Sequence, residues 1–242
     1  NLGPAGPTSL ADLKAKLANT RDLLPPVYRV SLYDPFSAWV NQLTQQDYDN
    51  IMGNPGAKSF VFDFAQSVIQ HATKYEHDAT CAFQEVVSDM YDGFLSAEDR
   101  QHIKMPDFEV IAPIVKWGNP EDGPYTITIE QAMQIKVQNA IVSLPPAIAH
   151  GVLVAWSSLA HETAGQDIAH ADDGLVPEMQ AAVANAIRKD TKIKSAAMKN
   201  LLATYWSNCM DETSADVMGI LNMGPAPAIG MIPFFRSFLH QV

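Results

Sequence analysis

Apolar residues recur at helical spacing along most of this chain, and pairs of Pro or Gly residues separate the helical stretches. The first stretch, Leu10, Leu13 and Leu17, follows Ser9, a residue type that often caps the start of a helix. Further helices are predicted at about 36–44, 57–74, 76–94, 128–142, 146–171, 175–188, 192–208, 211–222 and 228–239. This pattern predicts a mainly α fold in which helices pack on one another.

Three short segments favour extended structure, so at most a small β element is expected. Residues 125–129 (YTITI) are rich in β-branched side chains and form the clearest strand candidate. The apolar run from Val110 to Trp117 fits a strand or a buried loop. Residues 28–33 (YRVSLY) alternate between apolar and polar, which predicts a short strand or an extended segment leading into Pro35.

The length of 242 residues suits a single domain with a substantial core. We predict one mostly helical domain over residues 1–242. A boundary within the irregular segment 106–123 would divide it into an N-terminal part, 1–122, and a part holding the site described below, 123–242. Trp156, Trp206 and His150 are predicted to pack in the core.

The composition argues against two classes of partner. Charged residues make up only 18% of the chain, below the usual quarter or so, and 27 acids against 16 bases give a net charge of -11. Nucleic acids and anionic membranes would repel such a chain. The longest apolar run, 148–160, is interrupted by His150 and two serines, and falls short of the roughly 18 residues that span a bilayer.

A soluble protein is therefore expected, and its location stays open. The chain begins at Asn1, as a processed form would after loss of an export signal. The two cysteines, Cys81 and Cys209, are compatible with one disulfide or with two free thiols.

The segment with the clearest chemical signal is 160–174 (AHETAGQDIAHADDG), where His161 and Glu162 interrupt an apolar helical stretch. Burying these groups costs free energy unless they are paired or bind a metal. In zinc hydrolases a His-Glu pair supplies one metal ligand and one general base, and a second ligand follows on the same helix.

A second acidic segment, 211–216 (DETSAD), lies about 50 residues later. Glu212 and Asp216 are four residues apart and share a helical face. HETAGQ followed by DETSAD resembles the paired motifs of the dipeptidyl-peptidase III family, HExxxH and EExxA(E/D). The resemblance covers about a dozen residues, in a chain much shorter than members of that family, and so concerns the type of site alone.

The resemblance implies zinc held by His161 and Glu212, with Glu162 as the general base. Asp216 would orient a ligand histidine from outside the metal site, and Asp211 would lie beside it. On a regular α-helix His161 and the residue five positions later point about 140° apart. They converge only if the helix holds an added residue, as a π-bulge does, and Gly165 is a suitable place for it.

The sequence departs from the family at Gln166, where the second metal-binding histidine is expected. An amide oxygen is a weaker zinc ligand than imidazole. Gln166 could bind zinc weakly, His170 could replace it, or the site could be degenerate.

Two functions follow from these observations. The first is a zinc-dependent hydrolase, most simply a peptidase acting on a peptide or small molecule with water activated by Glu162. The second is a non-catalytic helical binding or scaffold protein with a degenerate site. A bundle that binds Mn or Fe through His and carboxylates is a weaker third reading. The sequence leaves the substrate and the oligomeric state open.

Overall fold

The structure is a computed structural model that describes residues 6–95, 111–119, 123–150, 156–167, 169–230 and 232. It confirms a mainly helical fold with one small sheet. The helices are α1 (Leu10–Ala18), α2 (Pro26–Tyr28), α3 (Asp34–Gln42), α4 (Gln45–Met52), α5 (Pro55–Thr73), α6 (His77–Leu95), α7 (Ile129–Ala132), α8 (Leu175–Lys189), α9 (Ala196–Asn208) and α10 (Met210–Met223). Short 3-10 helices cover Arg21–Leu23, Met133–Ile135 and Pro146–His150, and π-helices cover Arg29–Tyr33 and Ala160–Asp167. The predicted cap is confirmed, because the Ser9 side chain accepts a hydrogen bond from the backbone N–H of Asp12.

Three strands form the sheet: β1 (Ile114–Trp117), β2 (Tyr125–Ile127) and β3 (Ile141–Leu144). Their order is β1-β3-β2, with β1 parallel and β2 antiparallel to the central β3. The sheet thus joins residues from both sides of position 122. Since β2 is an outer strand, its residues lie at the edge that faces the predicted site.

The sheet is buried on both faces, which explains why β1 and β3 are apolar at almost every position. Ile114, Ile127 and Ile141 face a core built with Phe36 of α3 and Phe64 of α5. The opposite face packs on α6 in a core made of Phe83, Val87, Val115, Trp117, Val142, Leu144 and Leu159. The sheet therefore separates the N-terminal helices from α6 and the segment that carries His161.

The prediction of extended structure at 28–33 is wrong, because Arg29–Tyr33 forms a π-helix between α2 and α3. Tyr28, Leu32, Phe36 and Val40 are buried here at intervals of four, with Ser31 and Tyr33 buried beside Leu32. On an α-helix a four-residue step drifts by about 40°, which the wider π turn offsets. A spacing of four, and not strand alternation, was the informative pattern.

Two predicted helices differ from what the sequence pattern indicated. The helix expected at 128–142 ends after α7 and a 3-10 turn, and its last residues belong to β3. A short buried strand and a buried helical segment have the same apolar sequence pattern, so periodicity alone could not separate them. Within the range 146–171, the described residues include a 3-10 helix at Pro146–His150 and the π-helix at Ala160–Asp167, so the helix type differs from the α-helix expected.

Helices α8, α9 and α10 follow the π-helix, at bounds close to those predicted. Trp156 packs against the second core as expected, whereas Trp206 is 46% exposed on α9. The prediction for His150 is also wrong, because its side chain is 75% exposed and lies 3.2 Å from Glu76. Most of the helix predicted at 228–239 falls outside the described residues. Cys81 and Cys209 are free thiols, and the search of the described helices found none with the length and hydropathy of a membrane span.

Candidate metal centre

His161 and Glu162 lie in the π-helix Ala160–Asp167, so the helix has the π geometry that convergence of residues 161 and 166 would require. A π turn is uncommon and often occurs at functional sites, because it rotates the side chains that follow it. The backbone of Gln166 belongs to this helix. Its side chain lies outside the described residues, as do those of the neighbouring positions from 164 to 168.

Helix α10 packs directly on the start of the π-helix. A side-chain carbon added at Gly219 would meet the Ala160 carbonyl carbon and the His161 nitrogen, each at 3.3 Å. Ala215, one turn earlier, is fully buried. Because Glu212, Asp216 and Gly219 recur every three or four residues, the close approach at Gly219 turns both carboxylates toward His161.

The imidazole of His161 lies between these two carboxylates. Its Nε2 is 3.2 Å from Glu212 Oε2, and its Nδ1 is 2.9 Å from Asp216 Oδ1. A carboxylate on Nδ1 fixes the ring orientation and tautomer of a histidine that binds metal through Nε2. The side chain of His161 is 19% exposed and that of Glu212 is 70% exposed, so an ion can reach the pair from solvent.

The pair satisfies the distance requirement of zinc. Zinc bonds of about 2.0–2.2 Å to N and O in a tetrahedral arrangement hold two ligand atoms roughly 3.3 Å apart. The observed 3.2 Å between Nε2 and Oε2 matches this separation. Among the described residues, however, no group of three or more His, Cys, Asp or Glu side chains could hold a metal ion. A third protein ligand must come from elsewhere, and the predicted one is Gln166.

The Glu162 side chain reaches the sheet and is 7% exposed. The hydroxyl of Thr126, on β2, donates to Glu162 Oε2 at 2.8 Å and also bonds the Glu162 carbonyl oxygen at 3.0 Å. Burial raises the pKa of Glu162, and the Thr126 hydrogen bond and the charge of His161 oppose this rise. The negative charge of Glu212 raises it further. A raised pKa suits a carboxylate that takes up and releases a proton near neutral pH.

His170 occupies a different position, because both of its ring nitrogens face carboxylates. Nδ1 is 3.1 Å from Glu130 Oε2, and Nε2 is 3.4 Å from Asp211 Oδ2. A ligand role for His170 would require one of these contacts to break. Asp211 is thus brought to His170 and not to His161, and its buried Oδ1 has no hydrogen-bond partner among the described residues.

The sequence did not identify two residues that hold the site together. The side chain of Thr126, on β2, faces the π-helix. The signal in the sequence that could have identified it was a polar residue between apolar neighbours in a strand. Glu130 lies in the first turn of α7, where an acidic residue is common for reasons of helix polarity. Nothing local distinguishes it from such a residue.

Comparisons of the chain with protein-family models, with curated proteins and with solved structures gave no match.

Proposed function

We propose that this chain is a zinc-dependent hydrolase whose site is formed by the π-helix Ala160–Asp167 and α10. The carrying observation is the placement of His161, whose Nε2 lies 3.2 Å from Glu212 while its Nδ1 lies 2.9 Å from Asp216. In this arrangement Nε2 of His161 and the exposed Glu212 carboxylate are the atoms that would bind zinc. Asp216 holds the ring through Nδ1, as the hydrogen-bond partners of zinc-binding histidines do.

Zinc would be held by His161 and Glu212, with Gln166 as third ligand or His170 in its place. When bound, zinc polarises a carbonyl oxygen and lowers the pKa of a bound water. Imidazole, carboxylate and amide oxygen are all zinc ligand types, and the amide is the weakest of them. The proposed site therefore binds zinc more weakly than one with two histidines.

Glu162 acts as the general base in this proposal. It follows the ligand His161 directly and is buried, so few waters compete for its carboxylate. It takes a proton from the attacking water and returns it to the leaving group. The Thr126 hydroxyl donates to Oε2 and fixes the carboxylate orientation, which leaves Oε1 to receive the proton.

A peptide is the proposed substrate, on the strength of the paired motifs HETAGQ and DETSAD and their resemblance to a peptidase family.

Asp216 orients His161, while Asp211, His170 and Glu130 connect α10 to α7. These contacts keep Glu212 facing His161 in the absence of substrate.

A non-catalytic scaffold is the second candidate, and a specific observation favours it. The distance of 3.2 Å between His161 and Glu212 also suits a direct ion pair with a protonated imidazole. Together with Gln166 in place of a histidine, such a pair would stabilise α10 against the π-helix without metal.

Elemental analysis of the purified chain separates the two candidates, with Gln166→His and Glu162→Gln variants alongside. The hydrolase predicts near one zinc per chain, and chelator-sensitive cleavage of a peptide library that Glu162→Gln abolishes. Zinc in the Gln166→His variant alone would indicate a disabled hydrolase. If neither the original chain nor the Gln166→His variant binds zinc, the hydrolase is rejected. The ion pair between His161 and Glu212 is then retained as the role of these two residues.

A further inference from the structure

A cavity of about 370 Å³, largely open to solvent, lies beside β2, and one of its lining residues, Thr126, contacts Glu162. Its walls come from the first turns of α5, from β2, and from α7 with the 3-10 turn that follows it. Thr126 lines the cavity and also bonds the Glu162 carboxylate, so the two sites share this residue. The side chains that matter for its chemistry are those of Ser59, Asp63, Tyr125, Gln131 and Gln134.

A buried carboxylate forms one wall of this cavity. The Asp63 side chain is only 10% exposed and lies 2.8 Å from Lys116 Nζ, itself 1% exposed. The Tyr125 hydroxyl donates to Asp63 at 2.7 Å. Both groups bond the same oxygen, Oδ1, so Oδ2 keeps lone pairs that can accept a further hydrogen bond.

The charge balance selects the kind of molecule. Because the buried Lys116 ammonium neutralises Asp63, this wall carries no net charge, and neither a second cation nor an anion gains much net attraction here. A neutral hydrogen-bond donor keeps the full benefit of Oδ2. Ser59 and Gln134, both exposed at the rim, bring a hydroxyl and an amide that can donate to an acceptor in the same ligand.

We propose that this cavity binds a primary carboxamide, whose NH2 group donates to Asp63 Oδ2 and whose carbonyl accepts from the rim. In a peptide this group is the side chain of Gln or Asn. The cavity then selects the substrate by such a side chain, held beside the Glu162 site through Thr126. The statement that the carboxamide belongs to a substrate rests on the proposed hydrolase. Binding of a carboxamide in the cavity does not depend on that proposal.

The test is a titration of the metal-free full chain, followed by amide chemical shifts. The probes are the N-acetyl methylamides of glutamine, norleucine and lysine, which share a backbone and differ at the side-chain end. We expect saturable shifts at Ser59, Tyr125, Thr126 and Gln134 with the glutamine probe, and binding about tenfold weaker for the other two. Absence of saturable binding, or norleucine or lysine binding as well as glutamine, would overturn the proposal.

Two substitutions locate the binding without disturbing the core. Ser59→Trp places a large ring at the rim, and we expect it to weaken glutamine binding by about tenfold or more. Lys58→Trp, at the adjacent exposed position outside the cavity, is the matched control and should leave binding unchanged. Equal binding by both variants would place the probe elsewhere and reject the proposal.

A third variant tests the acceptor. Asp63→Leu combined with Lys116→Met removes both charges together, since removing one alone would leave the other buried and unpaired. The folded double variant should lose its preference for glutamine over norleucine. Every titration is done without zinc, so the result does not depend on hydrolysis. A chain that does not hydrolyse peptides can still bind the glutamine probe, and an active hydrolase can fail to bind it.

Discussion

His161 and His170 each lie between two carboxylates and are similarly buried, at 19% and 16% exposed, yet their partners are arranged differently. Both partners of His161 come from one face of α10, four residues apart. The partners of His170 come from two elements, α7 and α10. A metal ion between His161 and Glu212 would leave α10 packed on the π-helix. A metal ion on His170 would replace its contact with α7 or with α10, so His170 serves to connect those two helices.

The largest expected effect is on zinc affinity. His161→Ala removes a proposed ligand and should weaken zinc binding by more than the roughly 10–100-fold typical of losing a ligand's hydrogen-bond partner. His170→Ala is the comparison, and it should change zinc affinity only slightly where Gln166 is the third ligand. Competition titration with a chelating dye measures both. An equal loss in the two variants would make His170 a ligand and remove the distinction between the two histidines.

Asp216→Asn should have the next largest effect. The amide cannot fix the His161 ring as a carboxylate does, so zinc affinity should fall by about 10–100-fold with the protein still folded. Asp211→Asn changes the same residue type on the same helix, but acts on His170, and should cost less. The same titration applies. A greater loss for Asp211→Asn would contradict the assignment of Asp216 as the orienting group.

The third prediction concerns the close approach of α10 to the π-helix. Gly219→Val places carbons where the backbone of Ala160 and His161 lies at 3.3 Å, and should lower the free energy of unfolding by about 1–3 kcal/mol. It should also weaken zinc binding, because α10 carries Glu212. Gly56→Val makes the same change at an exposed position of α5, where an added carbon meets its nearest atom at 3.6 Å, and is the control for the helix propensity of Val. Urea denaturation that gives equal stability for the two variants would argue against this packing.

The smallest expected effect concerns His71, a third histidine, whose hydrogen-bond partner is a backbone carbonyl and not a carboxylate. His71 Nε2 lies 2.9 Å from the Val115 carbonyl oxygen, and burial lowers the pKa of His71 below 6.5 although this hydrogen bond opposes the shift. Below about pH 6.5 the unfolded chain binds the proton more readily than the folded chain does, so stability should fall as pH drops. His71→Gln keeps a donor for Val115 and should flatten this dependence in denaturation curves at pH 5.5 and 7.5. A profile that slopes as steeply in the variant would assign the effect to other groups.

The longer helices could be predicted because each carries its own signals. Asn54 and Pro55 begin α5, and Ser195 caps α9, as their residue types indicate. Strand β3 could not be predicted, because its partner β1 is distant in sequence, whereas the π-helix at Arg29–Tyr33 was missed although buried residues recur there at a spacing of four. The residues 141–144 (IVSL) form a strand only because β1 lies alongside.

The candidate site divides in the same way. The spacing of Glu212 and Asp216 predicted that they share a face, and the motif pair predicted that this face meets His161. Thr126 and Glu130 were not predicted, because each acts on a residue at least 36 positions away, with no local motif. Pair contacts between separate elements leave no periodic trace in one sequence.

The π-helix gives this site an unusual sensitivity to chain length. Deleting one residue between Ala160 and Asp167 would restore an α-helical register, and every residue on one side would turn by about 100° relative to the other. His161 and Glu162 could no longer face α10 and β2 while Gln166 kept its place. An insertion or deletion of one codon would therefore separate the side chains of the proposed site without changing any of them, a route of divergence that counting substitutions would miss.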